Sequence, residues 1–197
     1  KIKKINNLFF LTLIILLINT ELFASSKDFI SKLTNDASKV LASNESKDEK
    51  MLKLSNLAKE NVDINGIGMY TLGKYRKSLS ENQIKEYKTL FRKYFLKSFS
   101  SRLSEYTDPK INVLSEEVIN KKYTIVSSVL EADEKRPEIK IDWRVYTINP
   151  DKPLVRDLII EGLSLARTQR EEFNSIIQNG EGDIKVLFLN LRNFISG

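Results

Sequence analysis

Apolar residues recur at helical spacing through the first half of the chain. Phe29, Ile30, Leu33, Ala37, Val40 and Leu41 predict a helix over 26–43. Ser46 followed by Glu49 is a capping box and opens a second helix carrying Met51, Leu52, Leu54, Leu57 and Ala58. Ile64, Ile67 and Leu72 predict a third helix over 63–75, weakened by Gly66, Gly68 and Gly73. Ser80 with Gln83 is a further capping box. It starts a long helix whose stripe is Ile84, Tyr87, Phe91, Tyr94, Phe95, Phe99, Leu103 and Tyr106, ended by Asp108-Pro109.

The period then drops towards two. Strands are predicted over 111–115, 123–130, 139–148 and 154–161, the third with Ile139, Ile141, Trp143 and Val145 on one face and Lys140, Asp142 and Arg144 on the other. Asn149-Pro150-Asp151-Lys152-Pro153 is a strong turn. Two helices close the chain, over 163–178 and 184–194, separated by Asn179-Gly180. The expected fold class is α+β. N-terminal helices and the long amphipathic helix pack on a curved antiparallel sheet of about four strands, followed by two C-terminal helices.

The segment before the first helix changes the picture. Lys1, Lys3 and Lys4 precede an apolar run from Leu8 to Ile18, and Leu22-Phe23-Ala24 follows a short polar stretch. That order is the pattern of a secretory signal, and the run is well short of the roughly 20 residues of a membrane-spanning helix. Residues 1–24 are therefore expected to be a signal peptide, 25–197 a single domain, and the site of action the cell envelope. Cysteine is absent, so no disulfide framework exists and no lipid can be attached to a cysteine. Histidine is absent as well. Together these absences remove Ser-His-Asp and Cys-His nucleophiles and the usual zinc ligands, leaving carboxylate chemistry as the enzymatic option. The net charge of +6 is mild, and with export it argues against nucleic acid.

Few residues invite a chemical role. The aromatic stripe suits either a filled core or the wall of an apolar cavity, because both share one periodicity. Arg170 falls on the stripe of Leu163, Ala166, Phe173 and Ile177, where an unpaired charge is costly. It is expected to pair with Asp157 or Glu161 and clamp strand to helix; the alternative is that it faces a head group or a partner, since a guanidinium suits phosphate. Lys74, Arg76 and Lys77 sit between helices, as a solvated face or near a phosphate or an acidic partner. No carboxylate pair stands out as a hydrolytic couple, and no phosphate-cradling glycine loop is present: Gly66-Ile67-Gly68 lacks the rest of the pattern.

The run Asp157-Leu158-Ile159-Ile160-Glu161-Gly162-Leu163-Ser164-Leu165, followed by Arg170 and Phe173, resembles the signature of the MlaC family, also called toluene-tolerance or ABC-transporter auxiliary proteins. Leu72-Gly73-Lys74-Tyr75-Arg76, then Gln83 and Phe91, resembles an earlier motif of that family. Thr168-Gln169 and Pro153 depart from it. The resemblance implies a periplasmic, non-enzymatic carrier of glycerophospholipid without cofactor, expected as a monomer. Its expected partners are an outer-membrane lipoprotein complex and an inner-membrane ABC transporter complex with its substrate-binding domain subunit, in a system that keeps the outer membrane's lipids asymmetric. It further implies an apolar cavity between helices and sheet. The lining residues expected are Leu72, Phe91, Phe95, Phe99, Val126, Ile141, Trp143, Leu158, Ile160, Phe173, Ile177 and Leu187. The physics is consistent: two acyl chains of roughly 16 carbons exposed to water cost on the order of 25 kcal/mol at about 0.8 kcal/mol per methylene. The rival readings are a structural or interaction protein of the envelope with a filled core, and a carboxylate-dependent hydrolase.

Overall fold

The computed structural model describes residues 25–134 and 136–197; the expected signal segment lies outside them. Helix α1 (Ser26–Ala42) starts on a capping box formed by Ser25 and Asp28. Helix α2 (Lys47–Asn61) and helix α4 (Glu81–Leu103) start on the predicted boxes of Ser46 with Glu49 and Ser80 with Gln83. Between them lies α3 (Ile64–Thr71), capped by Asp63. The predicted third helix breaks here. Gly73 takes a φ of 56°, and the chain tightens into a 3₁₀ turn over Gly73–Lys77. That positive φ is open to glycine at little cost and ends the α-helix at this point.

Five strands follow in chain order and pair antiparallel with their neighbours: β1 (Ile111–Asn120), β2 (Tyr123–Leu130), β3 (Ile139–Tyr146), β4 (Leu154–Ile160) and β5 (Leu163–Ser164). Strand β1 is twice the length expected, and its second half is exposed, so burial left no alternation there to read. The fifth strand was not expected. Glu161 and Gly162 both adopt positive φ, which folds Leu163-Ser164 back onto β4 instead of starting the helix. Helix α5 (Leu165–Asn179) begins only after Ser164, whose side chain caps it. Helix α6 (Ile184–Ser196) is capped by Asp183.

The described residues form two apolar clusters. One is helical: Ile64, Ile67, Leu72, Tyr87, Phe91, Phe173, Ile177, Leu187, Phe188 and Leu191 interlock from α3 to α6. The other lies on the sheet, where Ile30 of α1 packs with Val126, Val145 and Val155, flanked by Phe29, Leu33, Trp143 and Leu158. Val62 packs against both clusters. It also forms a bridge to Val155, and the neighbouring Asp63 N–H donates to the Val155 carbonyl at 2.9 Å. Helix α4 rests chiefly on α2, α3 and α6, whereas α1 lies over β1 and β2. The sheet and most of the helical layer therefore meet along a seam rather than sharing one core.

Candidate functional site

The strand register gathers five of the twelve expected lining residues on one face of the sheet. Val126 pairs with Trp143, and Trp143 with Leu158; beside them Ile141 pairs with Ile160. Strand side chains alternate between faces, so these five form one contiguous apolar patch. The Trp143 indole N–H donates to Ser128 Oγ at 2.8 Å, and that hydroxyl donates to the Ile141 carbonyl at 3.0 Å. The ring is thereby fixed with its polar atom satisfied.

The other seven belong to the helices. Leu72, Phe91, Phe173, Ile177 and Leu187 lie inside the helical cluster, with Phe95 against it. Phe91 meets Phe173 edge-on with ring centroids 6.2 Å apart, and Phe99 stacks on Phe95 at 5.6 Å. Exposure divides the twelve evenly. Leu72, Phe91, Val126, Phe173, Ile177 and Leu187 are fully buried, each at 2 % or less. Phe95, Phe99, Ile141, Trp143, Leu158 and Ile160 are half-buried. The first six complete a filled core. The second six are large apolar groups, on both the helices and the sheet, that the fold leaves incompletely covered.

The aromatic stripe follows the same division. Tyr87 is wholly buried, its hydroxyl 2.8 Å from that of Thr71, and burial pushes its pKa above the usual tyrosine range. Tyr94 donates to Gln169 Oε1 at 2.9 Å; burial, and then the negative charge of Glu172, raise its pKa. Tyr106 lies beyond the end of α4, with Arg136 4.0 Å from its ring centre.

The expected charge clamp is corrected. Asp157 is buried, but its partners are not Arg170. It accepts from Ser164 Oγ at 2.6 Å and from the Ala166 N–H at 2.9 Å, with Arg144 at 3.8 Å. Glu161 instead accepts from the Lys140 N–H at 2.5 Å. Arg170 lies in line with the buried residues of α5, four after Ala166 and three before Phe173, yet its side chain is exposed. Its long stem carries the guanidinium outwards over the Tyr70 ring, 5.2 Å from the centre, where the charge stays solvated.

A cluster that sequence reasoning missed ties helices to sheet. Arg156 donates through Nε to Asp63 Oδ2 at 2.6 Å, with Nη2 an equal 2.6 Å from that charged oxygen, and through Nη1 to the Tyr123 hydroxyl at 2.8 Å. Its guanidinium lies 3.8 Å from the centre of the Tyr146 ring. Burial works against its charge, yet the bonds to Asp63 and Tyr123 outweigh it and raise its pKa.

Pockets on the described surface include two small ones. One, of about 250 Å³, lies between the 3₁₀ turn and α5, lined by Thr71, Leu72, Gly73, Lys74, Arg170, Glu171 and Asn174. The other, about 270 Å³, lies between α1 and α2. Among the described residues no cluster of acidic side chains is arranged to hold a metal, and no helix is long and apolar enough to cross a membrane.

A family model described as "MlaC protein" matches residues 27–193. No curated protein matches the chain. Among solved structures, a phospholipid-binding protein from Ralstonia solanacearum, in complex with a phospholipid, superposes with a TM-score of 0.71. It is 15% identical, and the match covers 88% of this chain and 97% of the other.

Proposed function

The chain belongs to the MlaC family, and from that premise we propose that it carries glycerophospholipid across the periplasm. MlaC proteins are periplasmic, non-enzymatic lipid carriers. In this reading the protein receives lipid from an outer-membrane lipoprotein complex and delivers it to an inner-membrane ABC transporter, or the reverse. Maintained outer-membrane asymmetry is the outcome. The observation that supports it is the seam between the two apolar clusters. Phe95 packs against the helical cluster and stacks on Phe99, while Trp143 and Leu158 flank the sheet cluster beside Ile141 and Ile160; all six are half-buried. Acyl chains entering there would cover apolar surface that the fold leaves wet, gaining about 25 cal/mol per Å². The likeness to a protein crystallised with phospholipid adds weight.

A second reading, an envelope interaction protein with a filled core, draws on the pockets. Both are smaller than the roughly 300–1,000 Å³ of ordinary ligand sites. One experiment separates the two. Protein from the periplasm, passed through gel filtration and measured by native mass spectrometry, should retain glycerophospholipid at near one molecule per chain. Protein recovered free of lipid, and unable to extract any from vesicles, would leave the filled-core reading standing.

A further inference from the structure

The two motifs that sequence reading singled out separately, 72–76 and 157–173, meet at the pocket between the 3₁₀ turn and α5. Gly73 brings its backbone close to Arg170: a Cβ there would stand 2.9 Å from Arg170 Nε. The Tyr70 ring lies 5.2 Å from the same guanidinium. The guanidinium is thus fixed between a glycine and an aromatic ring at the rim of a concavity. Lys74 lines the same pocket. Neither cation has a carboxylate partner among the described residues. The one acid at the rim, Glu171, is already paired with Arg167 at 3.2 Å.

We propose that this pocket binds a phosphate group through Arg170 and Lys74. A guanidinium presents a rigid fork that matches two phosphate oxygens, and an ammonium adds a point charge from a second direction. Among the described residues no carboxylate holds either one; Lys74 Nζ rests 5.3 Å from the centre of the Tyr75 ring. Arg76 and Lys77, on the same 3₁₀ turn, add positive potential that favours an anion. A volume of about 250 Å³ accommodates a phosphate with a small ester substituent and excludes an acyl chain. As the site for the head group of a carried lipid, the proposal rests on the carrier reading; as a site for a soluble phosphate ester, it stands without it.

The test is a titration of the isotope-labelled protein, following the Gly73 amide and Arg170 Nε resonances by NMR. The probes are inorganic phosphate and glycerophosphoethanolamine, with glycerol and matched chloride as controls. Saturating shifts centred on Gly73 and Arg170 are expected with the phosphate probes alone. The double variant R170Q/K74Q should raise the apparent Kd at least about tenfold, equivalent to about 1.4 kcal/mol. Both side chains are exposed, and an unchanged melting curve verifies that the variant folds. R170K should fall between. Uptake of phosphatidylethanolamine and of diacylglycerol from vesicles then identifies the source. Loss of the preference for phospholipid in the double variant, with diacylglycerol uptake intact, assigns the site to a head group. A retained preference alongside the lost titration assigns it to soluble phosphate esters. Shifts that do not saturate, or that persist in the double variant, overturn the proposal. A wild-type protein that takes up neither lipid overturns the carrier reading instead, and the titration still decides the pocket.

Discussion

Asp157 shows what one buried carboxylate does in this fold. The first N–H groups of a helix have no partner within the helix. At α5 the second of them, Ala166, donates to Asp157 Oδ1, while Oδ2 accepts the hydroxyl of Ser164, the residue that caps the helix. Negative charge at a helix N-terminus is favourable in its own right. Asp157→Ala would leave a buried N–H unsatisfied and loosen the cap together, at a cost of about 2–4 kcal/mol. Asp157→Asn keeps one acceptor and should cost less. Urea unfolding of both variants checks the order, and equal losses would sink the account. The sequence offered Asp157 or Glu161 as the partner of Arg170, and neither pairs with it. The partner was not legible, because a backbone N–H has no residue signature. The wheel put Arg170 in line with Ala166 and Phe173, and a wheel does not show that a long stem can carry a charge out to solvent.

At the scale of elements, the junction of α2 and α3 with the sheet depends on few groups. Val62 bridges Val155, Asp63 caps α3, and Arg156 grips the Asp63 carboxylate while stacking on Tyr146. Lysine cannot replace that combination of fork and planar stack. Arg156→Lys should therefore open α3 locally by about 1–2 kcal/mol, speeding amide exchange in Ile64–Thr71 about 5–30-fold. Exchange in α6, whose packing does not involve Arg156, should hold. A uniform rise across all helices would argue that the cluster supports global stability alone. Asp63 was readable as the start of a helix, but not as a carboxylate partner 93 positions away in sequence. The β3–β4 register shift between Arg144 and Val145 also breaks the alternation that would have assigned Arg156 a face. By contrast, helices opened by capping boxes and strands joined by short turns were legible, because their signals are local.

For the whole molecule, the division into two apolar clusters was invisible in the pattern: residues that fill a core and residues that border a seam share the same spacing. What composition does reveal is how such a protein would not be controlled. With neither histidine nor cysteine, it lacks the side chains that ordinarily titrate near neutrality. The resolved shifts move groups further from that range. Burial raises Tyr87 and Tyr94, so their contribution is present below a pH of about 10 and is lost above it. Bonds from Ser46 lower the pKa of Glu49, so its contribution is present above its ordinary value of 4.5 and is lost as the pH falls through its lowered pKa. Between roughly pH 6 and 8, then, the unfolding midpoint and the retained lipid should both stay flat. In the carrier reading proposed above, release would follow from differential affinity for two membrane partners, since a ligand or partner shifts an equilibrium only by its preference for one state. Lipid retention measured over that pH range tests this: a sharp loss between pH 6 and 7 would overturn it.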